Sequence, residues 1–100
     1  DQPAVIFVDG TQEWYKHVNL HRDGDQPARI TDTGKQEWYQ NGNLHRDGDQ
    51  PAVIWNSDGR EWWMDGERHR DGNLPAIIYN DGQQSWYIHG RLYRSTNRQL

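Results

Sequence analysis

Three His-Arg-Asp-Gly segments place His21, His45 and His69 at a spacing of 24 residues, each two residues before Asp23, Asp47 or Asp71. Imidazole and carboxylate together suit divalent transition metals. Glu13, Glu37 and Glu61 recur at the same spacing and give way to Ser85. Paired carboxylates are the groups of acid–base chemistry. Both readings fail on symmetry. A reaction centre is one asymmetric constellation of nucleophile, base and orienting group, whereas these residues return once per repeat. Ser57, Ser85 and Ser95 stand in no nucleophile motif, and the absence of cysteine removes thiolate ligands and disulfides. The plainer roles are structural. His and Arg can hydrogen-bond the backbone of the next turn, Asp-Gly is itself a turn, and the glutamates pair with Arg22, Arg46 and Arg70 or face solvent. The sequence therefore assigns no catalytic residue, no metal ligand and no cofactor, and the chain is not read as an enzyme.

The elements that would carry these residues follow from the repeat itself. Pro3, Pro27, Pro51 and Pro75 are in register. So are the alanines at 4, 28, 52 and 76, the isoleucines at 6, 30, 54 and 78, and the arginines at 22, 46, 70 and 94. Trp14, Trp38, Trp62 and Trp86 complete the frame. The units run 1–24, 25–48, 49–72 and 73–96, one domain of 100 residues with no linker. Asn41-Gly42, and Asp-Gly at 9–10, 58–59, 65–66 and 81–82, are hairpin signals, because both central residues tolerate positive φ. Residues 11–23 lack glycine, but their counterpart contains Gly42, which argues against a helix. The expected fold is all-β: an elongated, twisted antiparallel sheet or β-solenoid of four 24-residue hairpin repeats.

Alternation along the strands assigns the faces. Ala and Ile share one side of "PAVIF" and, with Trp, form the expected core, with Leu20, Leu44 and Leu92 at its margin. The other side varies: Val5, Arg29, Val53 and Ile77, then Phe7, Thr31, Trp55 and Tyr79. In the third unit, "WNSDGREWW" places Gly59 one residue late, and a bulge or altered loop is expected there. The fourth unit ends in "RSTNRQL", where residues 95–100 read as a polar C-terminal cap.

The block "EWYQNGNLHRDGDQPAVI" resembles a variant of the MORN repeat. The resemblance rests on Trp38-Tyr39, Asn41-Gly42 and His45 with their counterparts, and covers the whole chain. The Arg-Asp-Gly-x-x-Pro-Ala segment departs from the His-Gly-x-Gly pattern more usual in that family. The resemblance implies stacked antiparallel hairpins and a scaffold or binding role, and no catalytic residue.

Function then rests on the varying face. Phe7, Tyr15, Tyr39, Trp55, Trp63, Tyr79 and Tyr87 form an aromatic strip; either curvature or a second layer buries it, or it is exposed, and an exposed strip of this kind marks an interaction surface. Repeat three, with Trp55, Trp62, Trp63 and Met64, is its densest part. The expectation is a non-catalytic protein-interaction or scaffold module. The alternative is a glycan-binding module that stacks sugars on Trp and Tyr. A net charge of −4 disfavours nucleic acid, and no apolar run approaches the roughly 20 residues of a membrane span. The chain opens directly on "PAVIFV" without a polar cap, and an uncapped repeat end invites pairing. This reading predicts a homodimer through the first repeat, with Val5, Phe7 and Val8 near the contact.

Overall fold

The computed structural model describes residues 2–96. Those residues form strands and turns without helix, in an elongated body of 46 × 24 × 18 Å. Each 24-residue unit contributes two hairpins of different kinds.

The first kind has a long loop and builds the main sheet. Val5–Ile6 pairs with Gln12–Glu13, Arg29–Ile30 with Gln36–Glu37, Val53–Ile54 with Arg60–Glu61, and Ile77–Ile78 with the strand Gln84–Ile88. Each hairpin also pairs with the next, so these strands and Arg91–Ser95 make one nine-stranded antiparallel meander. The second kind is tight. Tyr15–Lys16 pairs with Asn19–Leu20, Tyr39–Gln40 with Asn43–Leu44, and Trp63–Met64 with Glu67–Arg68. These tight hairpins stack through their turns. The amides of Gly42, Gly66 and Gly90 donate to the carbonyls of Leu20, Leu44 and Arg68 at 2.7–2.9 Å. Glycine is needed here twice over. Gly42 has φ of 86°, and a β-carbon on it would stand 3.2 Å from Asn19 Oδ1 of the preceding turn.

Most strands are only two residues long, too short to hold units together by ladder bonds alone. Side chains complete the joint. The indoles of Trp38, Trp62 and Trp86 donate to the carbonyls of Asp25, Asp49 and Asn73, each thirteen residues earlier. Arg46 lies 3.9 Å above the Trp38 ring and Arg70 lies 3.8 Å above Trp62. Each of these two arginines also donates twice to an aspartate, Asp25 or Asp49, and once to the carbonyl of Pro51 or Pro75. The histidines close a second joint. Nδ1 of His21, His45 and His69 accepts the amides of Asn41, Asp65 and His89, twenty residues on. That assigns the remaining ring proton to Nε2, which faces Asp23, Asp47 or Asp71 at 2.7–2.8 Å. The His-Asp pairs thus serve the backbone, as the sequence suggested. The arginine assignment needs correction: Arg46 and Arg70 pair with aspartates of the preceding turn.

The core is partly as expected. All four tryptophans of the frame are buried, and Ala28, Ala52 and Ala76 have no exposed surface. The isoleucines are a second correction. Ile6 is 64% exposed, and Ile30, Ile54 and Ile78 are half-buried. Directly paired residues share a face, so the register sets Val5, Glu13, Arg29, Glu37, Val53, Glu61, Ile77 and Ser85 in one row across the sheet. Val53, Ile77, Glu13, Glu37 and Ser85 of this row are buried, because aromatic side chains fold back over it. Leu20 and Leu44 are half-buried, while Leu92 is exposed.

In the third unit, of the two expected outcomes, it is the altered loop and not a bulge that occurs. Arg60 pairs with Ile54 and Glu61 with Val53, the register of the other units. The loop absorbs the change. In units one, two and four the left-handed residue is Gly10, Gly34 or Gly82; in unit three it is Asp58, at φ of 75°. Gly59 has moved beneath Trp55, where a β-carbon would lie 3.1 Å from the indole. At the far end, Arg91–Ser95 is a strand. Ser95 takes the place opposite Ser85 that Ile77 takes opposite Glu61, so the last described strand of the sheet comes from the fourth unit. Residues 97–100 of the expected cap lie outside the described residues.

The arginine joints have an acid signature. Hydrogen bonds from Arg46 and Arg70 hold the Asp25 and Asp49 carboxyls below their ordinary value of 3.8. A lowered folded pKa contributes stability that is present above the unfolded value and lost as pH falls through the folded one. Urea midpoints measured from pH 7 to pH 2 should fall below about pH 4 in the parent. Asp25→Asn with Asp49→Asn should be less stable at pH 7 and show a flatter acid limb.

Candidate binding surface

The residue after Trp14, Trp38 and Trp62 begins a tight hairpin and turns its ring back toward the main sheet. Tyr15 donates its hydroxyl to Glu13 Oε1 at 2.7 Å, and Tyr39 reaches Glu37 Oε1 at 3.4 Å. Trp63 donates its indole N–H to Glu61 Oε1 at 2.9 Å. From the long loops, Trp55 donates to Glu61 Oε2 at 2.9 Å, and the Tyr79 hydroxyl lies 3.4 Å from Ser85 Oγ. The varying face is therefore a row of carboxylates partly roofed by aromatic rings.

The carboxylates are compensated from within. Arg29 bridges two of them, with Nε 3.0 Å from Glu13 and Nη1 3.2 Å from Glu37. Lys35 pairs with Glu37 at 3.1 Å and lies 3.7 Å above the Trp55 ring. Arg68 stands 3.8 Å from Glu61, and over both Trp63 and Tyr87. One chain of contacts thus runs from Tyr15 through Glu13, Arg29, Glu37, Lys35, Trp55, Glu61, Trp63 and Arg68 to Tyr87. It crosses all four units.

The phenols remain proton donors. The hydrogen bond to Glu13 raises the Tyr15 pKa above its ordinary 10.0, and burial followed by the Glu37 charge raises that of Tyr39. With the polar tips turned inward, the rings are what this face exposes.

Four of the seven residues proposed from the sequence, Tyr15, Trp55, Trp63 and Tyr87, fall on this chain of contacts, and Tyr39 joins it through Glu37. Tyr79 joins the face through Ser85, which neighbours Ile77 in the same row. Phe7 stands at the loop position equivalent to Trp55 and Tyr79, and it is exposed. Tyr15, Trp55 and Tyr79 are each about 40% exposed, and Tyr39, Trp63 and Tyr87 are half-buried. Trp62, grouped with the third-unit aromatics, belongs instead to the core. Sequence reasoning overlooked Arg29, Lys35 and Arg68. For two of them the signal was present: Arg29 stands where the other units carry Val or Ile, and Arg68 where they carry Leu, while the position of Lys35 differs in every unit.

Scans against protein-family models, curated proteins and solved structures return no match for this chain. No group of three or more potential metal ligands occurs among the described residues.

Arg29 is the charge on which two mostly buried glutamates depend. Removing one partner of such a group leaves uncompensated charge, tempered here by the partial exposure of Arg29. Arg29→Met should cost about 2 kcal/mol in urea unfolding, and adding Glu13→Gln should recover part of the loss.

Proposed function

We propose that this protein is a non-catalytic interaction module whose aromatic face docks a protein partner. The observation that carries this reading is the run of partly exposed rings from Tyr15 to Tyr87, linked through one row of charged side chains. Tyr and Trp are favoured in such surfaces because they bring large area at little entropic cost and carry a polar tip. The molecule's longer dimensions are 46 and 24 Å, which gives a broad face on the order of 1,000 Å². A standard interface uses about 800 Å² per partner. Similarity to MORN repeats supports the same reading, since it implies a scaffold role.

Recurrence also favours binding over catalysis. The carboxylates are internally paired and repeat unit by unit, so the face has several equivalent contact points. The first-unit edge extends the reading to self-association. Val5–Ile6 pairs on one side only among the described residues, and Ile6, Phe7 and Val8 are exposed beside it. A homodimer through this edge is part of the proposal.

Affinity capture with mass spectrometry, run beside a glycan array, tests the docking face. A protein partner retained by the parent should be lost at least tenfold by Tyr15→Ala with Tyr39→Ala, and kept by Asp47→Asn on the opposite joint. Glycan binding without a face-dependent protein partner would overturn the reading in favour of a carbohydrate-binding module.

A further inference from the structure

The four long loops carry Phe7, Thr31, Trp55 and Tyr79 at the same position. Only the last interval, between units three and four, has a polar-tipped ring on both sides. An open notch of about 190 Å³ lies there, with Trp55 and Tyr79 among its lining residues. Ile77 and Ile78 add apolar lining, and its polar lining is Ser57, Arg60, Glu61 and Asn80. We propose that this notch binds one neutral saccharide ring.

Three observations select that chemistry. Size comes first: drug-sized ligands occupy pockets of roughly 300–1,000 Å³, and this notch has room for a single ring. Charge comes second. Both oxygens of Glu61 already accept indole N–H groups, from Trp55 and Trp63, and Arg68 stands beside it. A cationic guest would meet the Arg60 guanidinium in the lining. An anionic guest would meet Glu61 itself. A neutral guest avoids both conflicts.

The third observation is how the walls are built. Trp55 is held by its bond to Glu61, by the close approach over Gly59 and by Lys35 above its ring. That shift of glycine, unique to unit three, is what lets the indole fold down. Trp55 and Tyr79 both line the notch and bring aromatic carbon against which the C–H side of a pyranose can pack. Ser57, Arg60 and Asn80 offer hydrogen-bonding groups for its hydroxyls. The site stands on the notch alone. A failed partner capture leaves it untouched, and a failed sugar titration leaves the docking face untouched.

Nuclear magnetic resonance of the ¹⁵N-labelled full chain tests it, with the Trp55 indole signal assigned by its loss in Trp55→Phe. Probes are the methyl glycosides of glucose, galactose, mannose and N-acetylglucosamine, with ethylguanidinium as the cationic control. At least one glycoside should shift the Trp55 signal saturably, with a Kd of about 1–10 mM, as a single-ring ligand allows. Tyr79→Ala should weaken binding at least tenfold. Tyr79→Phe, which keeps the ring, should bind within twofold of the parent. The proposal is overturned if no glycoside shifts Trp55, if ethylguanidinium binds as tightly as the best glycoside, or if Tyr79→Ala binds like the parent.

Discussion

The structure depends on an arginine laid flat on a tryptophan. Arg46 on Trp38 and Arg70 on Trp62 each tie three segments of chain together: the ring and the opening aspartate of their own unit, and a proline carbonyl of the unit after. A guanidinium is suited to this because it is planar, permanently charged and rich in in-plane donors. The paired strands are two residues long in most hairpins, so ladder bonds alone would leave successive hairpins free to rotate. The clamp, the indole bond and the histidine bond fix them. They also explain why Trp, His, Arg and Asp-Gly return at one spacing: each unit must be both donor and acceptor to its neighbours.

This division of labour leaves the other face free to vary. The clamps hold the turns through carbonyls and aspartates, and they ask nothing of Phe7, Thr31, Trp55 and Tyr79 or of the row beneath them. Substitutions there change the rings and charges presented while the frame stays in register. Unit three shows the point. Its glycine moves by one residue, an aspartate takes the left-handed position, and Trp55 gains a fixed seat, yet Arg60 and Glu61 keep the register of the other units.

Much of the fold was legible because the repeat exposes its own constraints. Trp38 and Ala52 are fixed in type and spacing, and both are buried. Asn41 and Gly42 both take positive φ, as an Asn-Gly hairpin turn requires. The isoleucines misled because constancy was read as burial, and Ile6 lies on the face that the rings do not cover. The glutamates misled for another reason. Their partner, Arg29, occurs once, so no period reveals that it bridges Glu13 and Glu37. The Trp55 loop was legible as a change and illegible in outcome, since spacing alone does not say whether a displaced glycine bulges a strand or seats a ring. The aromatic strip was legible from alternation, but its inward-turned hydroxyls were not.

Urea unfolding of Arg46→Met is the most direct measurement of the clamp. Methionine keeps an apolar stem over Trp38 and removes the charge, the paired bonds to Asp25 and the bond to Pro51. An arginine acting only as a surface ion pair contributes about 0–1 kcal/mol. If the clamp holds the units together, Arg46→Met should lose at least about 2 kcal/mol, as expected for loss of a cation–π contact together with charge-assisted hydrogen bonds. A loss under about 1 kcal/mol, within the range of a surface ion pair, would contradict it.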